Sequence, residues 1–383
     1  MTKTFVSTGP ALTRFRPALA AAVLFVSLVV SHAEAGAARP RCDGFAATIV
    51  GGPRADRLRG TAGPDVIVGR GGNDVIRGLD GLDRICGNGG NDVLLGGDAG
   101  DRLDGGAGSD RIDGGLLFDD VLFGGAPGPV KVNLTTGRAS GYGRDRLIGI
   151  EDVYGSRHDD VIRGGDSFIE VLWGDAGNDV VKGGPAASIV HGNEGEDQLF
   201  GGAGGDLLLG GPGGDSMDGG ADPDVVGFLE ATGPVEASLV TGTSAGQGSD
   251  SFTAVEGLLG SGFDDHLTGD GADNELDGVA GADTIVGGDG ADYVQGGLGA
   301  DTVDAGAGDD TVFGEDDDDD LDGGPGEDGL SGGRGTDTCD NGERFSGCES
   351  GSPPPPDGLL GRVVRPDLDG SERLMRIFLT WRS

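Results

Sequence analysis

A carboxylate returns every nine residues along most of this chain, and two positions after it stands an apolar side chain. In GGAGGDLLLGGPGGDSMDGG (201–220) the unit G-G-x-G-x-D followed by an apolar residue occurs twice in succession. The frame position holds Asp56, Asp65, Asp74, Asp83, Asp92, Asp101 and Asp110 without a slip. It resumes at Asp160 and, after one extra residue at Glu170, passes through Asp179, Ser188, Asp197, Asp206, Asp215 and Asp224. A third run holds Asp265, Asn274, Asp283, Asp292, Asp301, Asp310, Asp319, Asp328 and Asp337. The slot two residues later is apolar throughout, from Leu58 and Ile67 through Val190 and Met217 to Leu330 and Cys339. Even where Ser188 replaces the carboxylate, Val190 keeps its place, so the buried position is specified more strictly than the acidic one.

Nine residues are too few for a helix and its connection but enough for a tight turn and a short strand. Glycine supplies the positive φ that such a turn needs. The triplet after the aspartate alternates outward, inward, outward, as a strand must. A strand with one buried side chain has no core of its own, so successive strands must stack with turn above turn. The expectation is an all-β parallel solenoid. The composition agrees: 83 glycines and 17 prolines in 383 residues would argue for disorder without a period, but with one they argue for a repeat architecture.

One apolar side chain per repeat cannot offset the ordering of nine backbone residues. Aspartates stacked about 5 Å apart add a repulsion of roughly 1–3 kcal/mol per pair at effective dielectrics of 80 to 20. A divalent cation between turns would convert that repulsion into binding. Carboxylates and turn carbonyls are hard oxygen donors that suit calcium, whereas magnesium wants stricter octahedra and zinc wants thiols or imidazoles. The net charge of −39, from 66 acidic and 27 basic residues, disfavours nucleic acid and anionic membranes as partners.

The nonapeptide resembles the G-G-x-G-x-D-x-U-x repeat of the RTX, or haemolysin-type calcium-binding, family. Turns ending at Asp110, Asp206, Asp215, Asp292, Asp301, Asp328 and Asp337 match in full, while GRGGND (69–74) and GNGGND (87–92) are looser. The resemblance implies a right-handed parallel β-roll in which two nonapeptides make one coil. It also implies calcium ions held between turns eighteen residues apart by aspartates and backbone carbonyls. The metal-ligating candidates are then Asp65, Asp74, Asp83, Asp92, Asp101, Asp110, Asp179, Asp197, Asp206, Asp215, Asp224, Asp283, Asp292, Asp301, Asp310, Asp328 and Asp337. Asp74 with Asp92, Asp83 with Asp101, Asp197 with Asp215, Asp283 with Asp301, and Asp292 with Asp310 would each flank one ion. Ser188 and Asn274 mark weak or empty sites, and GEDDDDDLDGG (314–324) reads as a solvated acidic turn rather than a tight site.

Two longer units interrupt the frame. Residues 130–164 and 235–269 align without a gap at an offset of 105, sharing Leu134/Leu239, Asp145/Asp250, Glu151/Glu256 and Asp160/Asp265. They read as larger coils of the same solenoid. Residues 1–35 carry Lys3, Arg14 and Arg16, then an apolar run (18–33) and Ala33-Glu34-Ala35, the pattern of an export signal, with an uncleaved anchor as the alternative. The mature chain would then be secreted, with no later membrane span. Cys339 and Cys348, nine apart and both in the inward slot, should bond across the last coil, leaving Cys42 to pair with Cys86; free buried thiols are the alternative.

The organisation expected is a signal (1–35), an N-terminal cap with the first array (36–124), a larger coil (125–156) and a second array (157–229). A second larger coil (230–261), a third array with its disulfide cap (262–350) and a Pro-rich linker with a basic tail (351–383) complete it. No catalytic motif accompanies the repeats: the four histidines form no H-E-x-x-H, and no G-x-S-x-G is present. The reading is a non-catalytic calcium-binding protein with a structural or interaction role. A cell-surface adhesin or carbohydrate-binding module, with cell-wall or extracellular polysaccharide as partner, is the alternative; an accessory to a separately encoded enzyme is a more distant one.

Overall fold

The computed structural model describes residues 39–167 and 169–350, so the signal segment and the 351–383 tail of the sequence reading lie outside the described residues. Every regular element among them is a strand. Strands alternate between two sheets: Val66–Gly71 in one is followed by Val75–Asp80 in the other, then Arg84–Gly89 and Val93–Asp98. Pairing is parallel with an eighteen-residue register, Ile67 opposite Ile85 and Ile76 opposite Leu94. Two nonapeptides therefore make one coil of a parallel β-roll. No helix is long and apolar enough to cross a membrane among the described residues.

The core is the apolar slot of the sequence, stacked. Ile67, Ile76, Ile85, Leu94 and Leu103 are fully buried, as are Leu172, Val190, Leu276 and Leu321 much further along. Each inward side chain packs on its neighbours one coil away, so burial that is negligible for one repeat becomes a continuous column. A second apolar cluster lies outside that column. Ile189, Leu207, Leu209 and Leu259 occupy outward positions yet are covered by Leu229, Val171 and Val279.

Both ends are covalently closed. At the N-terminus an antiparallel pair, Arg41–Cys42 with Phe45–Ala46, lies over the outside of the roll. The Cys42–Cys86 disulfide fastens it there, with Ala47 and Val68 packed around the bridge. Arg84 adds a cation–π contact 4.0 Å from the Phe45 ring centroid. At the C-terminus Cys339 is bonded to Cys348, the pairing expected, but by a different route. The last coil is short. Phe345 stands opposite Leu330 and takes the facing sheet's inward slot, while Cys348 falls beside Asp337 in the same sheet as Cys339. The bridge thus joins adjacent strands of one sheet and does not cross the core.

The two longer units have one architecture. In the first, Arg144–Ile148 runs parallel to Arg111–Leu116, and antiparallel to Arg138–Ser140. Arg138–Ser140 is antiparallel in turn to Lys131–Asn133, which pairs in parallel with Val161–Arg163. Three short strands of alternating direction are thereby spliced into an otherwise parallel sheet. The second unit repeats this with Glu236–Ser238, Thr243–Ala245 and Ser249–Thr253. Meanwhile the opposite sheet steps directly from Asp120–Leu122 to Asp152–Tyr154.

Candidate metal-binding turns

The frame aspartates lie in the turns between the two sheets, buried and facing the next coil. In most of them Oδ1 accepts a hydrogen bond from the backbone N–H of the frame residue one coil earlier; Asp160 and Asp265 accept instead from Val130 and Val235, and Asp65 from the Thr48 hydroxyl. Asp92 accepts from Asp74 at 2.7 Å, Asp101 from Asp83 at 2.8 Å and Asp301 from Asp283 at 2.8 Å. This carboxylate-to-amide ladder crosses both longer units: Asp145 accepts from Asp110 and Glu151 from Asp119, just as Asp250 accepts from Asp215 and Glu256 from Asp224. It also ends on a carboxylate, because Glu343 accepts from Asp328 at 2.6 Å. Nine residues after Asp337 the frame slot holds Ser346, which has no carboxylate; the shortened path of the last coil brings Glu343 into its place.

The other oxygen separates the turns into two kinds. Oδ2 is buried without any hydrogen-bond partner in Asp74, Asp83, Asp92, Asp101, Asp110, Asp179, Asp197, Asp206, Asp215 and Asp224. The same holds for Asp283, Asp292, Asp301, Asp310, Asp328 and Asp337. An orphaned carboxylate oxygen in a protein interior is costly, and here the orphans fall at regular intervals. Elsewhere the protein closes the turn itself. Asp160 takes the N–H of Ser156 on Oδ2 and its hydroxyl on Oδ1, and Ser261 serves Asp265 identically. Ser244 donates to Asp250, and Thr61 donates both N–H and hydroxyl to Asp65. Asp65 is therefore the one candidate from the sequence whose second oxygen is occupied by its own turn.

Two residues with the orphan geometry escaped the sequence reading. Asp119 is fully buried with a bare Oδ2, and it stands nine after Asp110 with Val121 two positions on. That spacing could have revealed it; the loss of glycines in GGLLFD (114–119) hid it. Asp319 corrects a stronger expectation. It is 3% exposed with an orphaned Oδ2, so the acidic run is not uniformly solvated: its flanks at Glu315, Asp317 and Asp318 are exposed while the frame position stays in the ladder.

Glycine is required in these turns for contact as well as conformation. A Cβ on Gly69 would lie 2.5 Å from Asp74 Oδ2, in the space that the bare oxygen faces. At Gly90 (φ +132°) a Cβ would overlap the carbonyl oxygen of Gly72 in the coil beneath. The looser turns bend in the same way at a cost, since Arg70, Leu79 and Asn88 all take positive φ.

Burial dominates the electrostatics. It pushes the carboxyls of Asp101, Asp110, Asp197 and Asp301 up from 3.8 to about 7, and those of Asp119 and Asp206 to about 8. The ladder hydrogen bond opposes the shift, and a neighbouring carboxylate adds to it, as Asp283 does for Asp301. A positive charge joining such groups would favour their ionised form. Among the described residues no three Asp, Glu, His or Cys side chains converge on one point. A cation here would therefore take aspartates from successive coils and complete its shell with turn carbonyls, an all-oxygen set of flexible geometry that fits calcium.

The model of the RTX calcium-binding nonapeptide repeat (4 copies) matches residues 50–85, 87–119, 165–187, 191–226 and, in overlapping copies, 258–339. No curated protein matches the sequence. The matched stretches are those in which the orphaned oxygens lie, and both spliced three-stranded units fall between them.

Proposed function

Because the chain belongs to the RTX calcium-binding nonapeptide repeat family, we propose that it is a secreted, non-catalytic protein whose roll folds on binding calcium in its stacked turns and then serves as an extracellular scaffold or interaction surface. The observation that carries this reading is the row of bare Oδ2 atoms. A chain that buries this many unpartnered carboxylate oxygens is poorly stable alone, and a cation that neutralises them makes binding and folding one equilibrium. Asp74 and Asp92, Asp83 and Asp101, and Asp283 and Asp301 would hold ions from successive coils, with Asp119 and Asp319 added to the set. The disulfides at both ends suit an oxidising, extracytoplasmic compartment.

Circular dichroism of the chain from residue 36 onward tests the proposal. In excess chelator the β signal should be largely lost, and it should return at calcium concentrations on the order of 0.1–1 mM, the range of extracellular modules. Magnesium at the same concentration should not restore it. A full β signal in chelator would refute the coupling.

A further inference from the structure

The two spliced units share a backbone and differ in the face they show to solvent. The first carries Lys131, Arg138, Arg144, Arg146, Arg157 and Arg163; the second has no lysine or arginine anywhere between 235 and 269. On a chain of net charge −39 such a concentration of cations is a local reversal of sign.

Strand register turns these scattered residues into a row. Arg111 stands opposite Arg146, Arg146 opposite Arg138, Arg138 opposite Asn133, Asn133 opposite Arg163, and Arg163 opposite Lys182. Six adjacent strands about 4.8 Å apart thus present five cations and one amide in a line. All five cations are exposed, and only Arg111 has an ion-pair partner among the described residues, Asp113 at 2.7 Å. The row borders an open groove of about 1040 Å³ lined by Lys131, Asn133, Arg138, Arg144, Arg146 and Arg163. A second groove of about 490 Å³ shares Asn133 and Arg163 with it and continues past Lys182. Mutually repelling side chains in a row bring no benefit to folding; their benefit comes from a partner that carries regularly spaced negative charge.

We propose that this face binds an extended acidic polysaccharide, a chain of uronate rings, whose carboxylates pair with the arginine row while its hydroxyls meet Asn133, Thr135 and Thr136. Arginine forks match carboxylates bidentately, and the short screening length at physiological salt, about 8 Å, lets a local cluster act despite the acidic remainder. Nucleic acid fits less well, because the groove offers no aromatic side chain on which bases could stack. This inference rests on the calcium-folded roll proposed above.

The sister unit supplies the control. Arg138, Arg144, Arg146 and Arg163 correspond at the offset of 105 to Thr243, Ser249, Ser251 and Thr268, residues the same backbone already accommodates. The full-length chain and its Arg138→Thr, Arg144→Ser, Arg146→Ser, Arg163→Thr variant would be titrated in 1 mM calcium with hyaluronate, a uronate polymer that calcium does not gel. Neutral dextran and a single-stranded oligonucleotide serve as further probes. Circular dichroism run alongside separates the two proposals: failure to fold in calcium is a failure of the calcium reading, whereas a folded chain that ignores hyaluronate overturns only this one. The expected result is hyaluronate binding that weakens at least tenfold in the variant and with added salt, with dextran inert. Equal binding by the variant, tighter binding of the oligonucleotide, or a wild-type dimer that the substitutions dissolve would overturn the proposal.

Discussion

Array turns and the turns beside the spliced units place a carboxylate at the same point in the same ladder and complete it in opposite ways. Asp301 and Asp265 are both buried, and each accepts on Oδ1 the backbone N–H of a residue one coil earlier: Asp283 for one, Val235 for the other. Asp265 then receives the N–H and hydroxyl of Ser261, whereas Asp301 Oδ2 receives nothing from the protein. The difference lies in one residue of the turn. Where SGFDD (261–265) and SRHDD (156–160) put a serine four positions ahead of the aspartate, outside the positive-φ region, the protein fills its own site; in the open turns the residue there takes positive φ, whether it is Gly297 (φ +109°), Arg70 or Asn88, and the site is left bare. A single frame thus contains self-closed turns beside its irregular points and open turns that, on the proposed function, would make the rest conditional on calcium.

The sharpest way to break that comparison is to remove the carboxylate from each kind. Asp301→Ala deletes a group facing two successive coils, so it should raise the calcium midpoint of folding several-fold. Asp319→Ala should do nearly the same, since it has the same burial and the same bare oxygen. Asp265→Ala should leave the calcium midpoint close to wild type and instead lower the thermal midpoint at saturating calcium, because it strands the N–H groups of Val235 and Ser261. Each stranded donor costs about 1–3 kcal/mol. Equal shifts in the calcium titration for Asp301→Ala and Asp265→Ala would abolish the distinction.

Acidity gives a smaller but directional test. Burial raises the folded-state carboxyls of Asp83, Asp283 and Asp328 to about 6 and those of Asp101, Asp197 and Asp301 to about 7, against 3.8 unperturbed. The metal-free folded state therefore binds more protons than the unfolded chain. Its stability is greatest at low pH and falls as pH rises through these values. In chelator, lowering the pH from about 8 to about 5 should increase the β signal, protons standing in for the cation at the open turns. With calcium present the effect reverses, and the calcium midpoint should rise as pH falls. A metal-free signal that is flat or decreases on acidification would contradict the burial of bare carboxyls.

Much of this arrangement was legible in the sequence, for an identifiable reason. The nine-residue period fixes both the inward slot and the frame carboxylate, so the core column from Ile67 to Leu330 and all the open-turn carboxylates except Asp119 and Asp319 followed from counting. What counting missed lies where register, not period, brings residues together. Glu343 substitutes for a frame residue because the last coil is short, and Cys348 reaches Cys339 along the sheet for the same reason. Leu207 and Leu209 face outward as the alternation requires, yet Leu229 and Val279 cover them. The cationic row is invisible to a nine-residue frame, since Arg111 meets Arg146 across a step of thirty-five.

The smallest expected effect isolates the closing device itself. Ser261→Ala removes one hydroxyl, leaving Asp265 its bonds from Val235 N–H and from the backbone N–H of residue 261. The loss should be that of one hydrogen bond to a charged group, about 1.5–3 kcal/mol, together with the acceptor of the Phe263 N–H, read as a lower thermal midpoint at saturating calcium. Ser261→Gly goes further, because it restores the glycine character of an array turn at the same position. If serine is what keeps this turn independent of metal, the glycine variant should gain calcium dependence at its own coil. The strand His266–Thr268 would then exchange its amides faster in low calcium and recover at high calcium, while the alanine variant stays insensitive. Identical behaviour of the two variants would mean that the serine contributes only a hydrogen bond, and that the choice between a self-closed and an open turn is made by the spliced strands behind it.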